Sequence, residues 1–325
     1  MLRIDGSLLE GGGQIVRSAV ALSAVTGTPV EIISVREKRA RPGLANQHCA
    51  AVRAVAETCD ARVAGNTPGS SRLSFVPRSI VRRNTAVDVG TAGSIPLVIQ
   101  AWLPVALEKG GSLMVQGGTE VQFSPTIDYF TEVFVPALGP AGEGIRVEVI
   151  RRGYYPVGGG MVRVSVEPAS CPRISAGSAA GNGIRSCSSN LPGHVADRQA
   201  ARARAYLLEE TGEEYPVSIR RSEGPGTGSS CTVWSGAKGS CALGKRGLPA
   251  EKVGEAAASG LVAALRATGE VDLHMSDQLL LYLARGGGSY TAPEFTLHAR
   301  TMCWLLSLFG MPVKVSGRDP VEFRA

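Results

Sequence analysis

The chain has 325 residues and a mass of 33.8 kDa, room for two domains at ~150 residues each. It is 44 % hydrophobic and 19 % charged, which supplies a sizeable core and excludes a disordered chain. The net charge of +6 and a pI near 9.0 favour polyanionic partners such as nucleic acid or nucleotides.

Glycine is over-represented, with 41 residues against about 23 at ordinary usage, and aromatics are only 5 %. The cores must therefore rest on Val, Ile, Leu and Ala, as in glycine-punctuated α/β layers. No apolar run approaches the ~20 residues of a membrane span. The opening MLRIDGSLLEGGG carries no signal-peptide apolar region, so a soluble cytoplasmic protein is expected. Seven cysteines, never at CxxC spacing, read as reduced thiols rather than a zinc or disulfide framework. Four histidines without HExxH, and the lack of GxSxG or GxGxxG, give no support to zinc proteases, hydrolase elbows or dinucleotide sites.

In chain order, residues 2–77 read strand (LRID), helix (GGGQIVRSAVALSAVTG), strand (PVEIISV), helix (PGLANQHCAAVRAVAETC), then two strands. The same order returns in residues 86–168, with SPTIDYFTEVFVPAL as the second helix, and most of a third copy closes the chain. Gly27, Gly110 and Gly310 stand where helices should stop. Pro42 and Pro125 stand where second helices should open. Between residues 183 and 271 the pattern breaks into a small α/β domain, entered through the Gly/Ser/Ala-rich residues 177–183. The expected boundaries are residues 1–182 with 272–325 for the main domain and 183–271 for the insert. The class is α/β or α+β.

Five segments could carry chemistry. In EGGGQIVRSA, Gly11, Gly12 and Gly13 enter a helix whose N-terminus attracts anions. Glu10 beside phosphates is tolerable through a metal ion; Mg²⁺ held by one carboxylate and substrate phosphates would serve. A tight strand–helix turn with a solvated Glu produces the same letters. In VREKRARPGLANQH, Arg36, Lys38, Arg39 and Arg41 crowd the start of a helix. Cations there oppose the helix dipole by a few tenths of a kcal/mol each, and a bound phosphate reverses that sign. His48 falls on the apolar stripe with Leu44, Val52 and Val55, the place of a packed core histidine.

In FTLHART, Thr296 should cap a helix and put His298 in its first turn, neutral and with a ring lone pair available toward phosphorus. The positions 295, 298, 302, 305 and 309 also make a core stripe. In HMSDQLLLYLA, Ser276 or Asp277 is a natural N-cap, and Gln278 could hydrogen-bond a nucleotide. RRGYYPVGGG is a dense turn expected to bring two chain segments and two aromatic rings together. GSCALGKR has Arg246 where a P-loop needs Ser or Thr and is not one.

EGGGQIVRSA, RARPGLANQH, GTAGSIPLVIQ, RRGYYPVGGG, ALGKRGLPAEKVG and the DQ…H tail, in this order, resemble the RNA 3′-terminal phosphate cyclases over nearly the whole chain. The resemblance implies three units of two helices and a four-stranded sheet around a pseudo-threefold axis, with a small insert. It implies an ATP-dependent enzyme that adenylates itself on histidine and converts an RNA 3′-phosphate to a 2′,3′-cyclic phosphate. His298 matches the nucleophile, and Glu10 the ligand of Mg²⁺, with Mn²⁺ as an alternative. Arg17, Arg36, Arg39 and Gln47 match polar positions around the phosphates. Gln100, Asp277 and Gln278 match nucleotide-site positions, with the glycine run and Pro125 placed beside the nucleotide. His274 stands where the family often has a tyrosine against the adenine, and EVQFSP lacks a proline that commonly packs its other face, which leaves Phe123 or His274 to stack. A catalytically silent ribosome-assembly relative and an enolpyruvate transferase are the alternatives; His298 speaks against the first, the paired RARPG and FTLHART motifs against the second. A homo-oligomer is compatible with the sequence but not derivable from it.

Overall fold

The structure, a computed structural model, describes residues 1–325 apart from the side chain of Ser178. The first unit runs β1 (Leu2–Asp5), α1 (Gly13–Thr26), β2 (Val30–Ile33), α2 (Asn46–Thr58), β3 (Arg62–Ala64) and β4 (Leu73–Val76). The second runs β5 (Arg83–Asp88), α3 (Ile95–Lys109), β6 (Gly111–Gly117), an interrupted helix, β7 (Ile145–Arg151) and β8 (Gly160–Val166). That helix comprises α4 (Ile127–Tyr129), a π-helical turn (Phe130–Phe134) and α5 (Val135–Ala137), with α6 (Pro140–Glu143) after it. A short β9 (Ile174–Ser175) precedes the insert: β10 (Asn182–Ser189), α7 (His194–Thr211), β11 (Val217–Ser222), β12 (Gly228–Ser235), β13 (Lys238–Leu243) and α8 (Ala250–Arg266). The chain ends with α9 (Met275–Gln278), α10 (Leu280–Gly286), β14 (Gly288–Ala292), α11 (Leu297–Leu308), β15 (Lys314–Gly317) and β16 (Val321–Arg324).

Three sheets share one strand order: β1-β2-β4-β3, β5-β6-β8-β7 and β9-β14-β16-β15. In each, the first two strands are parallel and the others antiparallel. A parallel pair needs a crossover, which the first helix of each repeat supplies; in the third, the insert occupies part of that crossover. One apolar core runs through all three units from Ile4 to Phe323, and a second, around Ile184, Leu207, Val233 and Leu261, belongs to the insert. Val, Ile, Leu and Ala dominate both, as the composition requires.

Local signals act as expected at several ends. Gly27 takes the left-handed conformation (φ 68°) and returns its N–H to the Ser23 carbonyl. Thr296 accepts the Ala299 N–H at 3.0 Å, so α11 starts with Leu297 and then His298. Four expectations are corrected. Pro42 does not open α2, which starts at Asn46 because the His48 ring reaches back and takes the Ala45 N–H at 2.9 Å. Pro125 lies just outside its helix, before the N-cap Thr126. The helix beyond is broken rather than continuous, since Pro136 has no N–H and crowds the carbonyl four residues back; the Val135 N–H bonds to the Phe130 carbonyl in a widened turn. Neither Ser276 nor Asp277 caps α9: Asp272 accepts the His274 and Met275 N–H groups at 2.8 and 2.9 Å.

The dense turn 151–160 does bring chain segments together, but it separates the two rings. Tyr154 is buried, and a Cβ on Gly228 of the insert would stand 2.4 Å from its ring, whereas Tyr155 is exposed.

Candidate active site

The glycine run follows from close approach. A Cβ on Gly12 would stand 2.0 Å from Oε2 of Glu10, and one on Gly13 would stand 1.9 Å from Nε2 of His48. Glu10 is therefore not a solvated loop carboxylate: its side chain folds back over the run and is 11 % exposed. The Glu10 N–H donates to the Thr301 hydroxyl at 3.2 Å, which donates to the Leu297 carbonyl at 2.7 Å. One hydroxyl thus fastens the glycine loop to the start of α11. His48 is buried, and loss of hydration, with Arg17 and Arg36 nearby, pushes its pKa down to about 3. It is the packed neutral histidine that its stripe indicates.

Residues 34–43 form turns rather than a helix start. Arg39 Nη2 donates to the Glu10 carbonyl at 2.9 Å and ion-pairs with Glu10 Oε1. Arg36, at φ 54°, donates to the Gly43 carbonyl at 2.8 Å. Lys38 and Arg41 are exposed. Arg17 projects from α1, and burial pushes its pKa down to about 10 against the pull of Asp277, with Arg36 adding repulsion. An anion arriving among Arg17, Arg36 and Arg39 would relieve that repulsion.

His298 is placed by Gln14. The Gln14 amide nitrogen donates to Asp277 Oδ2 at 2.7 Å and, more weakly, toward the His298 carbonyl at 3.4 Å. A carbonyl can only accept, so the amide oxygen faces the other way, 3.0 Å from His298 Nδ1. Nδ1 must then carry the proton, which leaves the Nε2 lone pair free. Loss of hydration, followed by the charges of Arg17, Arg39 and His274, lowers the His298 pKa below its ordinary value. Burial raises that of Asp277 to about 7, with Arg17 opposing. The outcome is a neutral, oriented imidazole in an electropositive setting.

Gln100, set among apolar residues midway along α3, hydrogen-bonds to Gln278, whose amide donates to the His274 carbonyl at 2.7 Å. A cavity of about 70 Å³ opens beside them, lined among others by Gln14, Arg17, Gln100, Asp277 and Gln278. Of the two candidate stacking residues, His274 belongs to this end, while Phe123 stands fully exposed in the loop before α4. Gln47 is engaged differently: its side-chain oxygen accepts the Ser94 N–H at 3.0 Å and ties α2 to residues 90–94. Pro125 precedes Thr126, whose hydroxyl pairs with Thr232 of the insert at 3.0 Å.

Two residues that hold this site together lie outside the candidates drawn from the sequence. Gln14 follows the glycine run and lies three residues before Arg17, a spacing that puts both on one helix face; that signal was readable. Thr301 had none, because its partner is 291 residues away.

Among the described residues no three His, Cys, Asp or Glu side chains group as metal ligands. Glu10 Oε2 is buried without a partner. One orphaned carboxylate oxygen fits Mg²⁺, which takes its remaining ligands from phosphates and water.

A neutral histidine amid arginines, beside a glycine-lined helix entry, has the free lone pair and positive surroundings that phosphate chemistry uses. The sequence pattern of the family described as "RTC: RNA 3′-terminal phosphate cyclase" matches residues 8–315. Proteins named RNA 3′-terminal phosphate cyclase are similar throughout. That of Methanococcoides burtonii is 43 % identical over 99 % of this chain and 98 % of its own. That of Methanosarcina acetivorans is 44 % identical over 95 % of each chain, and that of Archaeoglobus fulgidus 43 % over 98 % of each. The chain belongs to the RNA 3′-terminal phosphate cyclase family, a family of enzymes. No described helix is long and apolar enough to cross a membrane.

Proposed function

We propose that the protein uses ATP to convert an RNA 3′-terminal phosphate into a 2′,3′-cyclic phosphate. The observation that carries this reading is the Asp277–Gln14–His298 chain, which presents an unprotonated Nε2 beside Arg17 and Arg39. In the first step Nε2 attacks the α-phosphorus of ATP: an N–P bond forms and the bond to pyrophosphate breaks. Gln14 holds the Nδ1 proton, so the ring attacks without first losing one. Next an oxygen of the RNA 3′-phosphate displaces the histidine, giving an RNA–pp–A diester and restoring neutral His298. The vicinal 2′-OH then attacks the RNA phosphorus, and AMP leaves.

Arg17, Arg36 and Arg39 neutralise phosphate charge and align the displacements. Gln100, Gln278 and His274 frame the nucleotide end. Glu10 would hold Mg²⁺, which when bound withdraws charge from the phosphates. Cytoplasmic action is part of the same reading, in keeping with seven unpaired cysteines.

The test is incubation with α-labelled ATP and Mg²⁺, then denaturing gels after acid and alkaline treatment. A phosphoramidate label is lost in acid and survives alkali. No label, or an alkali-labile one, would overturn the histidyl-AMP route.

A further inference from the structure

Of seven phenylalanines, seven tyrosines and three tryptophans, only Phe123 and Tyr155 are exposed among the described residues, at 102 % and 72 %. Both come from loops that are locked to each other. The Thr119 and Glu120 N–H groups donate to the Gly153 carbonyl at 2.8 and 3.3 Å, and Glu120 pairs with Tyr154 as a β-bridge. Beneath them the buried Arg152 guanidinium joins the carboxylates of Glu120 and Asp128. Phe123 is held at φ 60°, a left-handed conformation unfavourable for an aromatic residue, and its ring faces water.

The turn carrying Tyr155 is clamped on both sides. A Cβ on Gly158 would stand 2.7 Å from Ala92 Cα, and one on Gly159 would stand 2.7 Å from the Pro225 ring of the insert. Ala92 belongs to the loop that Gln47 fastens to α2 through Ser94, so both aromatic loops rest on a segment tied to the helix whose His48 packs against Gly13 of the glycine run. Arg151 lies alongside, its Nε donating to the Gly159 carbonyl at 2.8 Å, with no carboxylate partner among the described residues. Its outer N–H groups remain for an anion.

We propose that Phe123, Tyr155 and Arg151 form a platform for single-stranded RNA upstream of the reacting 3′ end, the rings stacking on bases and the arginine meeting the backbone. Rigidly displayed, separate aromatic rings beside an unpaired cation suit sequence-tolerant base stacking. A protein partner would instead need a wide continuous apolar face. The identity of the strand as substrate rests on the function proposed above.

The experiment measures fluorescence anisotropy of a 5′-labelled ten-nucleotide RNA 3′-phosphate, and self-labelling with α-labelled ATP, on the same preparations. Phe123→Ala and Tyr155→Ala should each weaken RNA binding by about five- to a hundredfold, with Tyr155→Trp restoring it and self-labelling unchanged. Arg151→Ala should lower the salt slope of binding by about one. Unchanged RNA affinity in the Phe123→Ala/Tyr155→Ala double variant overturns the proposal and leaves a protein as the platform's partner. Parallel loss of self-labelling also overturns it, by placing the rings at the ATP site. Failure of the wild-type protein to label itself sinks the proposed chemistry instead, while the binding measurement still decides the platform.

Discussion

His298 Nδ1 lies 3.0 Å from the Gln14 side-chain oxygen, and the other end of that amide is held by Asp277 at 2.7 Å. This contact selects the imidazole tautomer, because an oxygen that only accepts requires a protonated Nδ1. His298→Ala should abolish histidine labelling by α-labelled ATP while circular dichroism and melting temperature stay near wild type, since the side chain is exposed. Persistent labelling would move the nucleophile elsewhere.

Gln14 is a positioning residue. Gln14→Ala should slow self-labelling by roughly ten- to a hundredfold, the range of a lost orienting hydrogen bond of about 1.5–3 kcal/mol. Gln14→Glu, which keeps an acceptor toward Nδ1, should recover part of the rate and raise the histidine pKa. Equal pH profiles in the two variants would contradict the relay.

The pH dependence has a definite sign. In the proposed reaction the neutral imidazole attacks, and the His298 pKa lies below its ordinary value of about 6.5. Single-turnover labelling at saturating ATP should therefore hold as pH falls through that value and decline only below it. Arg17→Ala removes a nearby positive charge, so its acid limb should shift upward whatever the loss in amplitude. A limb fixed in place would show that Arg17 does not act on the ring.

Glu10→Ala should weaken Mg²⁺ dependence of the adenylation step more than transfer from preformed enzyme–AMP, because Glu10 Oε2 is the orphaned acceptor at the glycine run. A metal titration curve superimposable on wild type would remove Glu10 from that role. Arg39, paired with the same carboxylate, is separable: Arg39→Ala should leave a deficit in cyclisation at saturating RNA and ATP, of roughly ten- to a hundredfold. Full recovery at saturation would make it a docking residue.

His48 predicts a stability effect distinct from catalysis. Its folded-state pKa of about 3 lies below the unfolded value of about 6.5, so the unfolded chain binds the extra proton between these values. The stability from burying the neutral ring is present above pH 6.5 and drains away as pH falls toward 3. His48→Asn, which can still accept the Ala45 N–H, should flatten the loss of urea stability over that window. An unchanged slope would mean that the ring is already protonated in the fold.

Much of this protein was legible in the letters because its causes are local. Strand–helix alternation, the stop at Gly27, the Thr296 cap and the first-turn position of His298 depend on neighbours within about four residues. Repetition of the pattern also announced three like units, though the inconspicuous β9 (Ile174–Ser175) is the strand that completes the third sheet. Repetition could not say which copy carries the chemistry. The second position of the second helix is Gln47, Asp128 and His298 in the three units, and the structure ties them to a loop, to a buried arginine and to Gln14. α2 starts at Asn46 rather than at Pro42 because the deciding group is the His48 side chain, not backbone propensity. Tertiary structure alone decided that Glu10 folds back onto Arg39, that Gly13 must admit His48, and that Gln14 reaches across 284 positions to orient His298. Contacts closed over such separations leave no periodicity in the chain; they exist only once the units pack and bring the start of α1 against the start of α11.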